Sequence, residues 1–284
     1  MKRPNLTHII EGISDLPTLP GVVGQVLDAA ADPDSSALDL AKFITADQSL
    51  CASILRVVNS SYFGFMRQID SITTAIVILG FVAVRNMVVT AMAFQSLGRP
   101  GSSCDRLQLW RHALATAVAA ERSTRRAGLS LNGCPFVAGL LHDIGKVAFH
   151  WIVAERYAAI TERANEEHEP IRVLEEKELG MDHAEAGSLL AVHWNMPETI
   201  VDAIRYHHMP QLGLIDLQLD YLTAFADCVA YEAGLGDAGN GVKPTFPDEA
   251  GHELQIDRSD FEELVEEVAN CRPVIDELLG ALNT

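Results

Sequence analysis

Seven side chains between positions 112 and 227 have the chemistry of a metal site: His112, His142, Asp143, His183, His207, His208 and Asp227. Imidazole nitrogens and carboxylate oxygens together make a donor set that divalent transition metals accept. His142 and Asp143 are adjacent in Gly139-Leu140-Leu141-His142-Asp143-Ile144-Gly145-Lys146, at the polar end of an apolar helix whose first turn suits Pro135. Lys146 follows His142 by one turn, where an ammonium would neutralise a phosphate oxygen beside a metal. Taken alone, a His-Asp pair reads most simply as a hydrogen-bonded helix end. Its company favours more. His112 is flanked by small apolar residues in His112-Ala113-Leu114-Ala115, and Asp227 is embedded in Ala224-Phe225-Ala226-Asp227-Cys228-Val229-Ala230. A carboxylate in such an apolar helix is costly unless it is paired or ligating. Groups on consecutive helices can converge in a bundle core, where metal sites are commonly built.

The elements that must position these groups are helical. Apolar residues recur every three or four positions in segments around 110–127, 135–152, 170–178, 183–193, 197–207 and 218–233. The first half has the same periodicity, as in Val22, Val23, Val26, Leu27 and Ala30, punctuated by Pro17 and Pro20. Asp32-Pro33-Asp34-Ser35-Ser36 predicts a turn and a helix cap. Asn59-Ser60-Ser61 is read as a cap for the next helix, and Gly80 as a break within the stretch from Ser71 to Val89. The run Gly98-Arg99-Pro100-Gly101-Ser102-Ser103 cannot continue a helix and marks a boundary, while Gly234 to Gly251 reads as a loop. Ser259 with Glu262 predicts a capping box for a last helix carrying Phe261, Leu264, Val265 and Val268, with Glu262, Glu263, Glu266 and Glu267 on a solvated face. The organisation expected is a helical subdomain over 1–98, a site-bearing subdomain over 105–233, and a loop with a final helix over 234–284.

Composition narrows the function classes. In 284 residues, 39 Asp and Glu oppose 21 Lys and Arg, a net charge of -18 that repels nucleic-acid backbones and anionic lipid. Direct nucleic-acid binding is therefore not expected, nor is a membrane partner, since no apolar run reaches the roughly 20 residues of a spanning helix. Cys51, Cys104, Cys134, Cys228 and Cys271 are scattered without a C-x-x-C pair and read as reduced thiols, which with the missing leader points to the cytoplasm. Cys228 is read as core, and His150, His168, His193 and His252 as outside the site.

The order His112, His142-Asp143, Asp227 resembles the H…HD…D pattern of the HD superfamily of metal-dependent phosphohydrolases. LPTLP from Leu16, LRVVNSSYFG from Leu55, ITTAIVILG from Ile72 and DHAEAGSLLAVHWNMPETIVDAIRYHHMP from Asp182 resemble the HDOD family, the HD-related output domain of bacterial signalling proteins. The resemblance implies an all-α fold, an HD-like helical bundle preceded by an N-terminal helical subdomain. It further implies a role in signal transduction with signalling proteins as partners. Many HDOD members lack the metal-binding residues, whereas this chain keeps an order similar to the dinuclear sites of the HD-GYP phosphodiesterases, which cleave cyclic di-GMP. It differs from those in having Met209-Pro210-Gln211-Leu212-Gly213 after His207-His208 and Gln108 one turn before His112.

Three readings follow. The chain is a signalling module with one or two bound divalent ions, such as iron, manganese or another transition metal, that acts by partner contact. Alternatively it hydrolyses a phosphorylated small molecule: His112, His142, Asp143 and Asp227 hold one ion, His183, His207 and His208 a second, Asp143 bridges, and Lys146 offsets charge on the phosphoryl group. In the third, the histidines are buried neutral with carboxylate partners and no metal.

Overall fold

The computed structural model describes residues 6–16, 21–31, 35–59, 68–97, 104–131, 135–242, 244 and 246–282. Pro17, Pro20, the Asp32-Pro33-Asp34 turn, Ser60, Ser61, Cys134 and the 98–103 segment lie outside the described residues. Those described form α1 (Leu6–Ser14), α2 (Gly21–Ala31), α3 (Ala37–Thr45), α4 (Gln48–Val58), α5 (Ile72–Leu97), α6 (Cys104–Arg126), α7 (Pro135–Leu141) and α8 (Ile144–Ile152). There follow α9 (Ala154–Glu167), α10 (Ile171–Leu179), α11 (His183–His193), α12 (Glu198–Tyr206), a 3-10 turn at Pro210–Leu212, α13 (Leu217–Glu232), α14 (Asp248–Leu254), α15 (Arg258–Ala269) and α16 (Arg272–Leu282). No strand occurs among the described residues, and no single helix there is long and apolar enough to cross a membrane.

Two compact units make up the chain. One combines Met1–Leu16 with Ser102–Cys271, the other Pro17–Gly101 with Arg272–Thr284. The boundaries read from the sequence follow chain order; the units do not, because α1 packs on α8 and α11 while α16 packs on α4 and α5. The second unit closes over fully buried Leu40, Ile44, Leu50, Ile54 and Val88. Ser36 caps α3 in a reciprocal box with Asp39, as the sequence suggests. Gly80 adopts φ +83° and breaks the helical path inside α5. Asn59 instead ends α4, and its side chain staples Leu55 O and both backbone groups of Ile69.

In the first unit α6 packs along α7 and α13, and α11 along α8 and α12. Here the sequence reading needs five corrections. The single helix expected over 135–152 stops at Leu141 and restarts at Ile144, because His142 Nδ1 donates 2.7 Å to Gly139 O and draws the chain into a turn. The helix α9 went unrecognised, although Tyr157, Ile160 and Ala164 form its buried stripe. The last helix of this unit, α15, is capped by Asp257 rather than Ser259, since the Asp257 side chain accepts from Asp260 N. Its acidic face is ion-paired, not merely solvated: Arg126 bridges Asp260, Glu263 and Glu267, and Arg122 reaches Glu267 at 2.7 Å. The loop read over 234–251 also ends early, at the start of α14.

Two contacts set the position of the site-bearing segments. Gly145 in α8 meets α11 so closely that a Cβ on it would lie 2.0 Å from His183 O and 2.7 Å from Gly187 N. The turn after His208 is tied to α12 and α13: Asp202 Oδ2 accepts from Leu214 N and Ile215 N at 2.7 and 2.8 Å, and Asp220 is buried under Gly213. Both Asp220 oxygens are buried without a hydrogen-bond partner, and burial, then the charges of Asp202 and Asp216, push its pKa up to about 7.

Gly145→Ala is expected to force α8 and α11 apart and lower stability by about 3 kcal/mol, read as a fall in thermal midpoint; an unchanged midpoint would refute the close contact. Asp220 gives a pH prediction. Its folded pKa of about 7 lies above the ordinary 3.8, so the fold binds the extra proton in that window and loses stability as pH rises through it. Asp220→Asn is expected to exceed the parent in stability by on the order of 1–3 kcal/mol at pH 8, with the gain shrinking toward pH 4. Urea unfolding at stepped pH measures it, and a gain independent of pH rules out the titration.

Candidate metal centre

All seven ligand candidates meet in the core of the first unit. His112 comes from the middle of α6, His142 and Asp143 from the turn between α7 and α8, and His183 from the first residue of α11 after its Asp182 cap. His207 ends α12, His208 follows it, and Asp227 lies on α13. His112, His142 and His183 are 0% exposed. Asp143, His207 and Asp227 are buried, and His208 is partly so.

They fall into two groups. His112, His142 and Asp227 each offer a ligand atom, all within 4.8 Å of one another, and so do His183, His207 and His208. Asp143 stands between the groups. Its Oδ2 is 3.4 Å from His142 Nε2, and its Oδ1 is 3.2 Å from His183 Nε2 and 3.8 Å from His207 Nε2. Within the first group His112 Nε2 lies 2.8 Å and His142 Nε2 3.6 Å from Asp227 Oδ1. In the second, His183 Nε2 and His208 Nε2 are 2.8 Å apart.

The orientation of the rings is what a metal requires. His142 Nδ1 donates to Gly139 O and His207 Nδ1 donates 2.7 Å to Ile204 O, which fixes each ring and leaves its Nε2 aimed inward. Both Nε2 atoms are buried without a hydrogen-bond partner. Orphaned acceptors of this kind are rare in a folded core unless something charged meets them. His183 is held differently. Its Nδ1 donates 2.6 Å to Glu175 Oε2, its backbone N–H reaches the same oxygen at 2.9 Å, and Tyr157 OH donates 2.6 Å to Glu175 Oε1. With three imidazoles facing a shared carboxylate on one side, three ligands and the same carboxylate on the other, and no thiolate, the residues fit borderline transition ions such as iron, manganese or zinc.

Electrostatics pair the cluster's histidines with its carboxylates. Burial alone would lower the His142 pKa, but Asp143 and Asp227 outweigh it and raise it to about 10. Burial likewise opposes His183, and Glu175 chiefly carries it up to about 9. His207 is pushed down to about 3 by burial and by the charges of His142 and His183. The carboxylates stay ionised: against the penalty of burial, Lys146 and His142 hold Asp143 well below the usual range, and His112 and His142 do so for Asp227.

Lys146 is 1% exposed and spends all three of its N–H donors inside the protein. It donates 2.9 Å to Asp143 Oδ2, 3.0 Å to Ala238 O, and also to Asn240 Oδ1. The last two acceptors belong to the strap between α13 and α14. The strap lies so close to α6 that a Cβ on Gly236, at φ +85°, would be 2.4 Å from His112 N. Lys146 therefore orients Asp143, and the contact with a phosphate oxygen expected of it has no donor left to make it.

The sequence reading passed over Glu175, Tyr157 and Asn240. A buried glutamate one residue from Leu174 and four from Leu179 on an apolar helix stripe was the available signal for Glu175. Gln108 accepts from Arg111 at 3.0 Å. His168 and His252 are exposed, and Cys228 is buried. Cys51, Cys228 and Cys271 are free thiols.

A cavity of about 460 Å³ opens onto the cluster. His207, His208 and Asp227 line it together with Arg172, Tyr221 and Asn240.

Comparison with known proteins places this site in a family. Over 203 residues the chain is 32% identical to an uncharacterised protein of Treponema pallidum (strain Nichols), an alignment covering 70% of this chain and 39% of that one. The chain thus spans about two fifths of that relative's length. The structure of an HDOD domain protein of unknown function from Geobacter sulfurreducens superposes with a TM-score of 0.80 at 28% identity, over 96% of this chain and 97% of the other. A candidate phosphohydrolase from Shewanella amazonensis SB2B shares the fold at 22% identity, with a TM-score of 0.75 over 97% and 98% of the two chains. The family model for the HDOD domain matches residues 16–210, which is most of the chain, and the protein belongs to the HDOD family.

Proposed function

We propose that this chain is a metal-dependent phosphohydrolase of the HDOD family working in bacterial signal transduction. In this reading His112, His142 and Asp227 hold one divalent ion, His183, His207 and His208 hold a second, and Asp143 serves both. The observation that carries it is the pair of buried, unpartnered Nε2 atoms of His142 and His207, aimed into a cluster that forms the floor of a cavity.

When bound, divalent ions supply Lewis acidity toward a phosphoryl oxygen and make hydroxide available near neutral pH. The chain's own groups do the positioning. Asp143 presents one oxygen to each histidine group, and Lys146, braced by Ala238 and Asn240, keeps it from turning. Glu175 holds His183 by charge and by hydrogen bonds from its ring Nδ1–H and its backbone N–H, the arrangement in which a carboxylate behind a ligating histidine raises its basicity. Apolar residues around the cluster exclude bulk water and strengthen each charge interaction inside it. The fold neighbour described as a candidate phosphohydrolase supports the reading, and the signalling setting rests on the family. Signalling proteins remain the partners proposed on that basis.

Asp143→Ala is expected to abolish both bound metal, by elemental analysis of untagged protein, and hydrolysis of bis(p-nitrophenyl) phosphate. Full metal content in that variant would sink the bridging role. Glu175→Gln keeps the shape but removes the buried charge; metal affinity should fall by roughly 10–100-fold, measured by chelator competition, and an unchanged affinity would leave Glu175 a packing residue.

A further inference from the structure

We propose that Arg172 is the phosphate-recognition residue of this protein, and that the cavity beside the cluster takes an organic ester bearing a single phosphate group. The inference deepens the phosphohydrolase reading and rests on it for the identity of the metal cluster. It starts from a vacancy in the charge balance. A phosphate seated at the cluster brings negative charge that the nearest ammonium cannot meet, since all three Lys146 donors are engaged by Asp143, Ala238 and Asn240.

Arg172 is the arginine or lysine that lines the cavity. It lines the same cavity as His207, His208 and Asp227, from the first turn of α10. Among the described residues it makes no hydrogen bond or ion pair. In a chain with 39 acidic residues against 21 basic, a half-buried guanidinium without a carboxylate is unusual, and its planar fork matches two oxygens of a phosphate. Its backbone is anchored for the purpose: Ile171 N donates 3.1 Å to Asn240 O, on the same strap that holds Lys146.

The remaining walls define the rest of the ligand. Pro170, Pro210, Pro244 and Pro247 make rigid apolar surfaces, and Tyr221 contributes a ring whose hydroxyl donates 2.8 Å to Glu249 Oε1. Asp248 and Glu249 line the cavity too, and their charge disfavours a second or third phosphate. A volume of about 460 Å³ is that of an ordinary small-molecule pocket. A cyclic dinucleotide, with two phosphates, meets the same unfavourable carboxylate charge.

The test uses full-length, manganese-loaded protein and inorganic phosphate as the probe, followed by titration calorimetry. Arg172→Gln is expected to weaken phosphate binding roughly 10–100-fold, the scale of a lost charge-assisted bidentate pair, with metal content unchanged. Arg172→Lys should recover part of the loss. Pyrophosphate and tripolyphosphate should bind no more tightly than phosphate. Equal phosphate affinity in parent and Arg172→Gln, no phosphate binding by the parent, loss of metal in the variant, or much tighter binding of tripolyphosphate would each overturn the proposal. If phosphate binding depends on Arg172 while no phosphate ester is hydrolysed, the recognition role stands and the phosphohydrolase reading falls.

Discussion

The carboxylate of Asp143 is the constraint around which the first unit is arranged. It is buried, ionised and shared, with one oxygen turned toward His142 and Lys146 and the other toward His183 and His207. A lone buried anion would be prohibitive. What makes it tolerable is a set of partners drawn from α8, α11 and the end of α12, so that the packing of those helices and the charge balance of the core are one problem. The turn that places Asp143 is set by His142, whose ring closes onto Gly139 O in place of a further helical bond.

Around that carboxylate the protein has built two unequal sites. One contains an anionic ligand of its own, Asp227, beside His112 and His142. The other is made of three imidazoles, and its negative charge comes from one layer further out, where Glu175 backs His183 and is itself held by Tyr157. Two ions bound there would experience different fields from nearly the same number of ligands. The asymmetry follows from which helix each residue is on: a carboxylate stands in one group where the other has a third imidazole.

The strap between α13 and α14 ties the cavity to the cluster. Asn240 uses its side chain on Lys146 and its backbone carbonyl on Ile171, so a single residue braces both the ammonium that orients Asp143 and the turn of helix that carries Arg172. Positive charge at the site is thereby divided by function: Lys146 is consumed inside the structure, and Arg172 faces the open cavity.

Much of this was legible in the chain. The 3.6-residue periodicity declared an all-α protein, the histidines and aspartates in apolar surroundings declared a candidate metal set, and the segments from Leu16, Leu55, Ile72 and Asp182 declared the family. Those features are local: residue type, spacing and helical register are properties of neighbouring positions. Tertiary structure alone decided the rest. No spacing foretells that Glu175 stands behind His183, that α1 joins the site-bearing unit and α16 the other, or that Lys146 is left with no donor for a substrate. Each of these depends on groups distant in sequence meeting in space, as when Lys146 meets a carbonyl 92 residues away. Hydrogen-bond saturation belongs to the folded molecule, and it leaves Lys146 bound to Asp143, Ala238 and Asn240 while Arg172 lines the cavity.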